Sequence, residues 1–137
     1  MPANVLLISD IHANFPALAA ITDQVKDDKF DLIINGGDSI VYAPFPNETL
    51  DWLREHNAIS ILGNTDIKAL QVLAGKKLKK PRKQDKRVMY TWTAKQLTRK
   101  NKKFLGDIPG RKIIELEGYR IGIFHGSPAD DCHIFQR

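Results

Sequence analysis

The stretch Asn4-Val-Leu-Leu-Ile-Ser-Asp-Ile-His12 decides how the rest of the chain is read. Val5 to Ile8 is a short, branched apolar run with the length of a buried strand. It ends on a carboxylate, Asp10, and two residues later on an imidazole, His12. A strand that delivers Asp and His at its carboxyl end puts two metal-ligand types where open α/β sheets bind ligands. Asn14 is a candidate N-cap for a helix in which Phe15, Leu18, Ala19, Ile21 and Val25 recur at helical spacing.

The same event repeats downstream. Phe30 to Ile34 reads as a second strand, interrupted by Asp31, and it stops at Asn35-Gly36-Gly37-Asp38. The two glycines permit a tight turn with close backbone approach, and the next side chain is a carboxylate. A loop from Ser39 to Pro46 leads to a helix over Asn47 to His56. Ala58 to Leu62 reads as a third strand, closed by Gly63-Asn64-Thr65-Asp66 and followed by a short helix over Ile67 to Leu73. Strand and helix alternate, which predicts an α/β fold with a parallel or mostly parallel sheet. Singly, Asp10 and Asp38 read as turn or cap residues, and Asp-x-His alone occurs by chance. In series with Asn64 they predict convergence on one sheet edge.

Gly75 to Lys83 breaks the pattern with an exposed, lysine-rich loop. Helical spacing returns from Gln84 to Lys100, and Phe104, Leu105, Ile108 and Pro109 read as a connector. Lys112 to Leu116 and Tyr119 to Phe124 flank Glu117-Gly118, a hairpin turn pair. The second of these strands delivers His125-Gly126.

At 137 residues the chain is expected to form one domain, burying roughly two-thirds of its unfolded surface. Its single cysteine, Cys132, excludes an internal disulfide and fits a reducing compartment. Neither a leader pattern nor a membrane-length apolar run of about 20 residues is present, so a cytoplasmic protein with no membrane partner is expected. The net charge of +5 is unevenly spread. Met1 to Gly75 holds 4 basic and 10 acidic residues, whereas Lys76 to Lys103 holds 13 basic residues and one acid, Asp85. That basic segment has two readings. One is attraction of nucleic acid or phosphorylated substrate, with Tyr90 and Trp92 as stacking surfaces. The favoured one is a solvated helix with Trp92 in the core.

Taken together, Asp10-Ile11-His12, Gly37-Asp38, Gly63-Asn64-Thr65-Asp66 and His125-Gly126 resemble, in order and approximate spacing, four motifs of the calcineurin-like metallophosphoesterases. The stretch Asp38 to Pro46, with Tyr42 and Pro44-Phe45-Pro46, resembles the small bacterial and archaeal branch of that family. The resemblance implies a β-sandwich flanked by helices, formed by residues 1–137 as a single phosphoesterase domain. It implies hydrolysis of a phosphodiester or phosphomonoester by a hydroxide that two divalent cations activate. These would be Mn, Fe, Zn or Mg, with Mn favoured. Asp10 and His12 would bind the first ion, Asp38 both, and Asn64 and His125 the second, with Asn64 and Asp66 as catalytic residues.

Two departures from the family pattern stand out. The family often carries a histidine after the Asn of its third motif, where it protonates the leaving group. Here that position is Thr65. The substitution predicts a preference for esters with good leaving groups. Thr65 and Asp66 also have a plainer reading, as N-caps of the helix near Ile67. The family's last motif, Gly-His-x-His, lies beyond His125, and the residues that follow contain only His133. An incomplete second sheet, weak metal retention and self-association through the edge of Tyr119 to Phe124 are therefore expected. The alternative function is a catalytically impaired family member acting as a binding or regulatory module. Cys132 and His133 read as incidental, and His56 as a partner of a helix dipole.

Overall fold

The computed structural model describes residues 2–129, so Cys132 and His133 lie outside the described residues. Three parallel strands form the first sheet in the order β1 (Val5–Ile8), β2 (Leu32–Asn35) and β3 (Ile59–Ser60). Val5 pairs with Leu32, Ile8 with Asn35, and Asn35 with Ser60. All three carboxyl ends therefore lie along one edge. The connections are helices α1 (Phe15–Gln24) and α2 (Pro46–Glu55), and α3 (Asn64–Leu73) follows β3. Asn14 caps α1 as its side chain accepts from the Ala17 N–H at 3.2 Å. Pro46 opens α2, where a missing N–H costs nothing.

The expected single helix over Gln84 to Lys100 is instead two, α4 (Gln84–Gln96) and α5 (Arg99–Asp107), and the second replaces the expected connector. The reason lies some fifty residues away. Asn47 donates to the Gln96 carbonyl at 2.8 Å and accepts from the Thr98 N–H at 3.0 Å, so its amide takes the groups a continuous helix would pair internally. Leu97 turns into the core, 4% exposed, and Thr98 caps α5 by accepting from the Asn101 N–H. Buried Asn101 then accepts from Arg54 at 2.6 Å and donates to Asp51 at 3.0 Å, tying α5 to α2.

The second sheet is the antiparallel hairpin β4 (Arg111–Leu116) and β5 (Tyr119–Phe124), turned by Glu117 and Gly118 at φ 51° and 83°. Two consecutive positive φ values mark the turn type whose twist suits a two-residue hairpin. Two apolar clusters hold the fold. The larger joins Ile40, Val41, Leu50, Leu53, Ala69, Tyr90, Leu97, Leu105 and Ile108 among the helices. The smaller, Ile34, Ile61 and Ile123, packs the hairpin against the first sheet. Among the described residues β4 and β5 pair only with each other, and Ile113 and Tyr119 are exposed. No helix is long and apolar enough to cross a membrane among the described residues.

Asn47→Ala is expected to lower unfolding free energy by about 2 kcal/mol, because it leaves the α4–α5 break without its partners. Urea denaturation measures it, and an unchanged midpoint contradicts the role.

Candidate metal centre

The carboxyl edge of the first sheet does not stop at the strands. Beyond β1 and β2 the two chains stay in step: Asp10 N–H donates to the Gly37 carbonyl, His12 N–H to Asp38 and Ala13 N–H to Ser39, at 2.8–2.9 Å. This ladder requires φ between 51° and 58° at Asp10, His12, Ala13 and Asp38. Such values are uncommon for residues with a Cβ and collect at functional sites. Buried Asn35 supports the turn by donating to Ser39 Oγ at 2.8 Å. Gly37 combines φ 97° with close approach: a Cβ there would sit 2.7 Å from Gly63 N and 3.0 Å from His125 Nδ1. Gly63 is extended, yet a Cβ on it would collide with the Asp38 carboxylate.

Asp38 is the centre of the cluster and is 4% exposed. Its Oδ1 accepts from the Thr65 N–H in the first turn of α3 at 2.9 Å. Its Oδ2 lies 3.7 Å from His12 Nε2 and 3.6 Å from His125 Nε2. Asp10 Oδ1 is 3.9 Å from His12 Nε2, and one donor atom each from Asp10, His12 and Asp38 fit within 4.8 Å of one another. His125 arrives from the end of β5, with Nδ1 2.8 Å from the Gly36 carbonyl and Nε2 3.2 Å from Asn64 Oδ1. A carbonyl only accepts, so Nδ1 carries the proton. The lone pair of a neutral His125 then points at two further acceptors, Asn64 Oδ1 and Asp38 Oδ2. Acceptors facing acceptors, beside a second carboxylate–imidazole group, is the donor chemistry that a cation satisfies. Asp10, His12, Asp38, Asn64 and His125, five residues from four loops, are brought together.

Two other sequence candidates, Thr65 and Asp66, sit behind this cluster, whereas His56 lies at the C-terminus of α2. Asp66 is 1% exposed and accepts from Gly63 N–H at 2.9 Å, Ser39 N–H at 3.0 Å and Ile40 N–H at 3.2 Å. Burial pushes its carboxyl up to about 6, opposed by those three amides and reinforced by the charge on Asp38. Helix α3 starts at Asn64, three residues earlier than expected, because Asp66 in its first turn reaches back to the Gly63 N–H. Thr65 is buried, with its hydroxyl donating to the Ile40 carbonyl at 3.1 Å. His56 stacks on Trp52 at 4.2 Å, with Nδ1 2.9 Å from the Trp52 carbonyl.

A cleft of about 830 Å³ opens over the cluster, lined by Asp10, Asp38, Asn64 and His125, and walled by Leu7, Ile121 and Phe124. Lys68 also lines it. Sequence reasoning missed this cation, although its position one turn after Asn64 on the same helix was a usable signal.

Asp10, His12 and Asp38 at the edge of this sheet form a group that could hold a metal ion. The chain belongs to the calcineurin-like phosphoesterase family, whose model matches residues 3–135. Uncharacterized protein MJ0912 of Methanocaldococcus jannaschii is 32% identical over 126 residues, covering 90% of this chain and 49% of the relative. The chain thus spans about half the length of the curated relative it matches. A metallophosphoesterase from Sphaerobacter thermophilus shares the fold with a TM-score of 0.67 and 30% identity, over 83% of this chain and 44% of that one. Hypothetical protein PH1004 from Pyrococcus horikoshii OT3 shares it with a TM-score of 0.79 and 19% identity, over 94% and 57%.

Asp66→Ala is expected to destabilise the fold by about 3 kcal/mol, since it strands three buried N–H groups. Asp66→Asn, with one acceptor oxygen in place of two, recovers part of that loss. Urea midpoints for the pair check it, and equal stability of all three proteins refutes the anchoring role.

Proposed function

We propose that the chain hydrolyses phosphate esters at this cleft, a phosphodiester or phosphomonoester being the substrate. The observation that carries the reading is the convergence of five donor residues from four strand ends around Asp38 Oδ2. Asp10, His12 and Asp38 would hold one divalent cation, and Asp38, Asn64 and His125 the other. Mn is favoured, with Fe, Zn and Mg fitting the same donors. Three protein donors per ion are the number that leaves positions open for water and substrate. When bound, the pair supplies a grip on phosphoryl oxygens, an activated water and stabilisation of charge on the leaving oxygen.

The chain's own residues do the rest. Asp38 and Asp10 bring negative charge that offsets that of the cations. The Gly36 carbonyl holds His125 in the tautomer with Nε2 free. We assign Asp66 a positioning role: it ties the loop carrying Asp38 to the turn carrying Asn64, without lining the cleft. Lys68 would draw the anionic ester in and pair with a phosphoryl oxygen. Thr65 cannot serve as the proton donor, because its hydroxyl is buried against Ile40. The binding-module alternative takes up metal without turnover.

With Mn²⁺, wild-type protein is expected to hydrolyse bis(4-nitrophenyl) phosphate, and chelation to abolish the activity reversibly. Asp38→Ala is expected to lose at least about 100-fold in kcat/KM. Lys68→Ala should raise KM more than it lowers kcat. Metal uptake by wild type with no turnover would favour the binding module. No metal uptake by wild type would remove both readings. A second expectation concerns the leaving group: an aryl ester should outpace an alkyl ester by about 10²–10⁴-fold, the usual worth of a general acid. Comparable rates would show that some other group delivers the proton.

A further inference from the structure

Outside the metal cleft, a smaller groove of about 230 Å³ is lined by Tyr42, Pro44, Val88, Met89, Trp92 and Thr93. Its large side chains are on the surface: Tyr42 is 47% exposed, Val88 54%, Met89 38% and Trp92 41%. Trp92 is thus not in the core, as the favoured reading of α4 expects, and of the two expected stacking surfaces Tyr90 is buried while Trp92 is exposed. A shallow depression continues the groove past Val88 and Trp92 to Arg87, Thr91 and Lys95. The groove thus has flat aromatic walls and a cationic rim.

Tyr42 joins this groove to the metal cluster. Its ring centroid lies 4.9 Å from that of His12, and its hydroxyl 3.5 Å from that of Tyr90. Its backbone is in an unusual state: Val41 and Tyr42 have φ 78° and 83°. Consecutive left-handed residues with side chains persist only where the surroundings over-determine them, commonly at ligand sites. Here the Ala43 N–H donates to the His12 carbonyl at 3.1 Å and the Phe45 N–H to the Ala13 carbonyl at 3.2 Å. The loop is locked to the residue that carries a candidate ligand, and the lock presents Tyr42 to the groove.

We propose that this groove is the subsite for the nucleobase of a nucleotide ester, stacked on Tyr42 and Trp92, while its phosphate lies at the Asp38 cluster. The proposal rests on the phosphoesterase reading of that cluster. The occupant follows from charge and shape. The segment Lys76 to Lys103 carries 13 basic residues against one acid, and Arg87 and Lys95 line the depression beside the groove, so an anionic nucleotide is attracted. The groove is smaller than the usual site for a drug-sized ligand and suits a single planar ring system. Stacking a base on an aromatic side chain is sequence-tolerant and is worth about fivefold to a hundredfold in affinity.

The test uses two esters with one leaving group, thymidine 5′-(4-nitrophenyl) phosphate and methyl 4-nitrophenyl phosphate. Wild-type protein with Mn²⁺ should favour the thymidine ester at least tenfold in kcat/KM, mainly through KM. Trp92→Ala should cut that ratio at least fivefold and Trp92→Phe restore most of it. A ratio unchanged in Trp92→Ala overturns the subsite. Calorimetric titration with thymidine 5′-monophosphate gives a readout independent of turnover, with at least fivefold weaker binding expected for Trp92→Ala. Equal binding by both proteins, or no binding by either, overturns the proposal. So does binding of a single-stranded oligonucleotide without the mononucleotide. If neither ester is hydrolysed but the mononucleotide binds through Trp92, the subsite stands and the hydrolytic reading falls.

Discussion

A buried anion between two imidazoles governs the architecture of this protein. Asp38 is nearly inaccessible, and removing a carboxylate from water is costly unless its oxygens find partners. One oxygen has the Thr65 amide, at a helix N-terminus where the peptide dipoles favour negative charge. The other oxygen faces His12 and His125, at 3.7 and 3.6 Å, too long for hydrogen bonds. Half of the carboxylate's partners are thus supplied by the fold. The remaining half is a gap between nitrogen and oxygen donors, and that gap is the site.

The position of Asp38 is inherited from strand register. The parallel pairing of β1 with β2 continues past both strands as the Asp10–Gly37, His12–Asp38 and Ala13–Ser39 bonds. Leaving the sheet while keeping this pairing forces the backbone into left-handed conformations at Asp10, His12, Ala13 and Asp38. Asp66 fixes the third loop to the second by receiving amides from both. Two acids, Asp38 and Asp66, are therefore stacked in one interior. Their mutual repulsion contributes to the raised Asp66 carboxyl and makes positive charge at the cluster favourable.

Much of this was legible from residue order alone. Short apolar runs ending in Asp, Gly-Asp, Gly-Asn and His-Gly located the strands and their edge, because a parallel sheet places all its carboxyl ends together. What sequence could not show depended on distant partners. The break between α4 and α5 is made by Asn47, and the anchoring by Asp66 needs amides of Ser39 and Ile40. Trp92 is a different case. Tyr90 and Trp92 are two residues apart on a helix, about 200° round its axis, so both could not face the core. The spacing already contained that answer.

The donor set is divided between two sheets. Asp10, His12, Asp38 and Asn64 come with the first, whereas His125 comes with the hairpin, whose packing rests on Ile34, Ile61 and Ile123 and their partly buried neighbours. So small a cluster stabilises modestly. The bond from His125 to the Gly36 carbonyl is then a second clasp between the layers, polar and sited at the cluster. A cation that takes donors from both sheets binds only when they are packed together. By mass action it stabilises that packing by about 2.7 kcal/mol at a hundredfold excess over its Kd. On the proposed reading, metal binding and closure of the sandwich are one equilibrium, and a weakened isoleucine cluster would register first as weakened metal affinity.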